Sequence, residues 1–72
     1  MSDDAGAEMD RSDAGKKVEL VKLENADGNF PVKVGDTGTI VFGFKTNGED
    51  WVQVEWDNGE MESVRKSEVN FL

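Results

Sequence analysis

The amino-acid sequence predicts an all-β fold, a small barrel of five short strands that follows a disordered acidic N-terminal tail. Three observations carry that expectation. The stretch Val52-Gln53-Val54-Glu55-Trp56 alternates apolar and polar residues, the period-two pattern of a half-buried strand. Asn47-Gly48 and Asn58-Gly59 bracket it, and Asn-Gly pairs tolerate the positive φ angles of tight hairpin turns. A strand with a hairpin turn at each end is the middle of a meander. Residues 1–15, by contrast, hold no Val, Ile, Leu or aromatic side chain, so they have little to bury in return for being ordered.

Seventy-two residues allow one small domain with a thin core. The chain has no cysteine and no histidine, which removes disulfides, the commonest zinc ligands and the commonest general base. Most routes to nucleophilic or metal-hydroxide catalysis go with them. No catalytic residue, metal or cofactor is therefore expected, and the chain reads as a non-enzyme. Its net charge of −8 opposes direct nucleic-acid binding, which relies on Lys and Arg displacing counterions. Solubility is the plain reading of that charge. No apolar run approaches the roughly 20 residues of a membrane span, and the acidic start is unlike a signal peptide. A soluble, cytoplasmic monomer with no membrane contact is expected.

In chain order, residues 1–15 form the tail, with five acids and one Arg, and residues 16–72 the barrel. Lys17 to Leu23 reads as the first strand, with Val18 and Leu20 inward. Glu24 to Thr37 holds Asp27-Gly28-Asn29, Phe30-Pro31 and Val34-Gly35-Asp36, turn-formers that make it a long loop. Loops of this kind often carry binding in small domains. Gly38 to Phe44 is the second strand. A three-residue loop Thr46-Asn47-Gly48 would pair Lys45 with Glu49, Phe42 with Val52, Ile40 with Val54 and Gly38 with Trp56. That register turns the apolar residues of both strands inward, whereas a slip by one would turn Ile40 and Phe42 outward. It also sets Trp51 over Gly43 on the outer face, where a ring can cover bare backbone. Glu60 to Arg65 is the fourth strand. A two-residue turn before it would face Met61 inward and Val64 outward, and a bulge would bring both in. Lys66-Ser67-Glu68-Val69 reads as a single short turn before a closing strand at Asn70-Phe71-Leu72. Five short strands, a long early loop and a turn before the last strand describe an SH3-like barrel.

Two local patterns suggest chemistry and fail on inspection. Asp36-Thr37-Gly38 matches the active-site triplet of aspartic proteases, but Gly35 breaks the apolar support before the aspartate, and a turn entering the second strand explains it better. Asn25-Ala26-Asp27-Gly28-Asn29 hints at a calcium loop, yet Leu23 and Val34 fall where its first and last ligands belong.

Gly35-Asp36-Thr37-Gly38-Thr39-Ile40, then Val52-x-Val54-x-Trp56-Asp57-Asn58-Gly59, then Val64-Arg65, resembles two SH3-like groups. One is a small prokaryotic and phage family of unknown function with a Gly-Thr-Val strand and a Trp-Asp-Asn-Gly turn. The other is the mind-bomb/HERC-type domain of some ubiquitin ligases, where that turn is followed by an aromatic-Arg pair; here Val64 stands in place of the aromatic. More loosely the pattern is similar to KOW modules of transcription factors and to small accessory subunits of photosynthetic and ferredoxin-linked complexes. The resemblance covers about residues 17–72 and implies a fold rather than an activity. The function expected is a non-catalytic protein-interaction or accessory module. Phe30 and Pro31 on the long loop, with Phe44, Trp51 and Arg65 beside it, are the expected partner-binding residues, because rings at a loop–strand junction give buried area at small entropy cost. The alternative is a nucleic-acid-associated, KOW-like role or a transcription-complex accessory or inhibitor. Direct nucleic-acid binding would require Lys16, Lys17, Lys22, Lys45, Arg65 and Lys66 to gather on one face.

Overall fold

The computed structural model describes residues 9–24 and 29–72. The fold is all-β. One antiparallel sheet contains β1 (Met9–Asp10), β2 (Lys17–Leu20), β3 (Thr37–Thr46), β4 (Glu49–Trp56), β5 (Met61–Arg65) and β6 (Val69–Phe71), with a short 3₁₀ turn at Lys66–Glu68 before β6. The strand order is β5-β4-β3-β2-β6, and β1 adds to the far half of β3. β5 and β6 end the path without pairing to each other. The expected disorder of residues 1–8 lies outside the described residues. Residues 9–15 depart from that expectation: Met9 and Asp10 pair with Phe44 and Gly43, and the Gly15 amide donates to the Ile40 carbonyl at 2.8 Å. The long β3 overhangs β2, and this segment satisfies the edge that would otherwise be bare.

β4 is central, as the alternation predicted. Val52, Val54 and Trp56 are buried, and they join Val18, Leu20, Val32, Ile40, Val64 and Val69 in one core. Strands from both ends of the path contribute to it, so the sheet curls over its own apolar face. Gly38 does lie opposite Trp56, and Ile40 opposite Val54. A Cβ on Gly38 would come within 2.8 Å of the Glu55 carbonyl and 2.9 Å of the Trp56 Cα, so glycine allows the close crossing there.

Beyond Ile40 the register differs from the expected one. Asn47 and Gly48 make a two-residue turn with φ of 52° and 78°, the type I′ signature, and Thr46 pairs with Glu49. A bulge between Ile40 and Phe42 absorbs the resulting one-residue slip. Phe42 therefore faces out beside Gln53, Gly43 lies opposite Val52, and Trp51 lies opposite Phe44 rather than Gly43. The second hairpin follows neither of the two alternatives. Gly59, with φ 93°, donates its amide to the Trp56 carbonyl, and Trp56 pairs with Glu60 across three residues. That loop turns Val64 inward and leaves Met61 exposed.

Two further assignments change, and the last strand keeps its ring at the rim. β2 stops at Leu20, because the amides of Val21 and Lys22 turn to the Glu68 carbonyl. Val32 comes out of the long loop to fill the core. Phe71 stays at the rim, its ring centroid 5.8 Å from the ammonium groups of both Lys16 and Lys66.

Candidate functional site

The outer face of the β3-β4-β5 sheet carries a row of aromatic and cationic side chains that the core does not use. Trp51 pairs across the ladder with Phe44 on one side and Arg65 on the other. Its ring stacks on Phe44 with centroids 6.3 Å apart and an interplanar angle of 19°. The Arg65 guanidinium lies 5.0 Å from the Trp51 centroid, within cation–π range. Phe42 extends the row, 6.0 Å from Phe44. Met9 on β1 continues it past Phe44.

Electrostatics orient Arg65. Its Nε donates to a Glu49 oxygen at 2.8 Å, and that carboxylate holds the guanidinium above its ordinary pKa. The planar group is thus fixed by an ion pair at one edge and a ring face below. The Trp51 Nε1–H is shielded from solvent and meets no acceptor among the described residues. A shielded donor without an acceptor loses its hydration and gains nothing in return.

Of the five expected partner-binding residues, Phe44, Trp51 and Arg65 come together. Phe30 and Pro31 do not join them. Phe30 packs against the core, and the Pro31 carbonyl accepts the Asn58 side-chain amide at 3.2 Å. Those contacts tie the long loop to the β4–β5 turn, whereas Trp51 lies near the opposite end of β4. The loop spends its ring on the core, as does Val32.

The six cations that a nucleic-acid role would need are each paired with a carboxylate. Lys16 and Lys66 both reach Asp13, Lys17 reaches Asp57, Lys22 reaches Glu24, Lys45 reaches Asp50 and Arg65 reaches Glu49, all between 2.8 and 3.4 Å. Hydrogen bonds from these cations lower the pKa of Asp13, through Lys16 first and Lys66 second, and that of Glu24, through Lys22. Asp57 is also lowered, chiefly by the Thr37 hydroxyl that donates to it.

Asp36-Thr37-Gly38 serves the backbone. An Asp36 oxygen accepts the Lys33 amide at 3.0 Å, and the Asp36 carbonyl accepts the Leu20 amide at 2.8 Å. This is the turn into β3. Most of the calcium-like stretch lies outside the described residues, and among the described residues no group of three or more His, Cys, Asp or Glu side chains could hold a metal ion. No described helix is long and apolar enough to cross a membrane.

Sequence reasoning missed Phe42 and Met9 as members of the outer row. An unmarked bulge turned the first outward, and a two-residue strand in polar sequence placed the second. No family model, curated protein or solved structure matches this chain.

Proposed function

We propose that the protein is a non-catalytic interaction module that binds a protein partner through the outer face of β3, β4 and β5. The Phe44–Trp51–Arg65 stack carries this reading. It concentrates the residue types that dominate binding hot spots, and it lies outside a core that is complete without it. Its side chains are half-buried by one another, so little conformational freedom remains to be lost on binding. Phe30 and Pro31 are left out of this face, since Phe30 packs against the core and the Pro31 carbonyl accepts from Asn58.

The same reading takes the sheet as an SH3-like barrel. Its support is the single core to which strands at both ends of the path contribute, Val64 from β5 and Val69 from β6, and the 3₁₀ turn that leads from β5 into β6. Pairing of those six cations with five neighbouring carboxylates disfavours direct nucleic-acid contact, beyond the net charge itself. The module acts as a cytoplasmic monomer.

Affinity capture with the wild-type chain and with Trp51→Ala tests the assignment. Proteins retained by the wild type should be lost with the variant. Retention of every one of them at unchanged affinity would remove this face from the binding site.

A further inference from the structure

We propose that the β3 edge at Gly43–Phe44 receives an extended peptide from a partner protein, in the place that Met9–Asp10 holds in the free chain. The peptide would set an apolar residue against Phe44 and an acidic residue over Gly43. This inference rests on the protein-interaction reading above and names the form of the partner.

Met9–Asp10 behaves as a short internal stand-in for such a peptide. It has only two paired residues, both exposed, with Met9 opposite Phe44 and Asp10 opposite Gly43. Two residues of ladder bury little and give few main-chain hydrogen bonds, so a longer strand on the same edge would outbid them. Gly43 does not hinder the exchange: a Cβ there would sit 3.6 Å from the Asp10 carbonyl and 3.9 Å from the Asp10 Cβ, ordinary contact distances. Asp10 ends the pairing by accepting the Ser12 amide at 2.9 Å, which turns the chain away.

Beside this edge lies a cavity of about 390 Å³, lined by Asp10, Asp13, Gly43, Lys45, Asp50 and Lys66 among others. Lys45 and Lys66 are the cations that line this cavity with Asp10, and each is held by one neighbouring aspartate, Asp50 and Asp13. An incoming carboxylate would take over the place of the Asp10 carboxylate, so no new charge is created. Phe44 and Trp51 also line the cavity, and the apolar residue of the peptide would extend their row as Met9 does. The occupant is therefore an extended segment with an apolar residue followed by an aspartate. A flat basic or polyproline ligand would satisfy neither position.

The probe is a capped peptide of residues 9–14, Met-Asp-Arg-Ser-Asp-Ala, added to the ¹⁵N-labelled full chain and to its Met9→Gly/Asp10→Gly variant. In the wild type the tethered segment competes at an effective concentration of about millimolar, so the peptide should bind the variant at least about tenfold more tightly. Amide shifts should centre on residues 42–46, and a peptide with glycine at its first two positions should not bind. Equal binding to both chains, equal binding of the glycine peptide, or no binding to the variant would overturn the proposal. A concentration-dependent dimer of the wild type that the variant loses would give the edge to a second copy, and would also overturn it.

Should the variant fail to fold, hydrogen exchange of the wild type decides. The amides of the β1–β3 ladder should exchange at least about a hundredfold faster than those of Val52 and Val54, as expected of a locally opening segment. Protection equal to the core would refute displacement. Loss of peptide binding with Trp51→Ala still abolishing capture would sink this inference alone and leave the outer-face reading standing.

Discussion

Glu68 offers the sharpest test of how the sheet is held together. It is 3% exposed, and its two carboxylate oxygens accept the Glu24 amide at 2.8 Å and the Arg65 amide at 2.9 Å. One side chain thus joins the segment leaving β2 to the end of β5, while its own carbonyl accepts the amides of Val21 and Lys22. Hydrogen bonds to a charged acceptor contribute roughly 1.5–3 kcal/mol each. Glu68→Ala removes both, for about 3–6 kcal/mol gross. Part of this returns, because the amides near exposed Glu24 can rehydrate and a buried charge disappears. A net loss of about 2–4 kcal/mol follows, a large share of the stability of a domain this small. Glu68→Gln keeps one acceptor and sets an NH₂ group against the other amide, so about 1–2 kcal/mol should be lost. Urea unfolding of the three chains measures both, with the midpoint moving and the slope unchanged. Glu68→Ala within about 0.5 kcal/mol of wild type, the range of featureless surface changes, would refute the clamp.

Gly38→Ala places a Cβ against cross-strand backbone at 2.8 and 2.9 Å, and should cost about 3 kcal/mol in the same assay. A neutral result would mean that β3 and β4 do not cross so closely. Trp51→Phe keeps the ring over Phe44 but deletes the shielded N–H, so thermal melts should show stability unchanged or raised by about 1 kcal/mol. A large loss would show that the N–H has an acceptor. Asp57 has its folded pKa below its ordinary 3.8, so its contribution to stability is present above 3.8 and disappears as pH falls through the lower folded value. Asp57→Asn should therefore melt below wild type at neutral pH, with the gap closing under acid. A gap that persists in acid would assign the effect to something other than ionised Asp57.

Much of the fold was legible because β4 states its own period and both its ends. The register of Gly38 on Trp56 followed from turning the apolar residues of both strands to one face; the three-residue loop it was counted from is not the one formed, and the bulge restores the pairing. The two Asn-Gly pairs, however, look alike in sequence and behave differently. Asn47-Gly48 makes a two-residue turn, whereas Gly59 closes a three-residue one, and only the compensating bulge near Val41 reconciles the first with a buried Ile40. Nothing in Ile40-Val41-Phe42 marks a bulge. Val32 and Glu68 were hidden for a different reason: their burial depends on contacts between segments far apart in the chain. In the candidate site, the alternation along β4 set Trp51 on the outer face, and it lies there half-buried, paired with Arg65. Phe30 packs against the core, a contact between distant segments that loop composition does not show.

The claim that Phe44, Trp51 and Arg65 form the partner face is tested most directly by amide and indole shifts of the ¹⁵N-labelled chain on adding a partner retained by capture. The account predicts the largest changes at residues 42–44, 51–53 and 63–65, with the Trp51 indole N–H among them. Changes confined to Phe30 and the Asn58 turn, with the Trp51 indole unmoved, would contradict it.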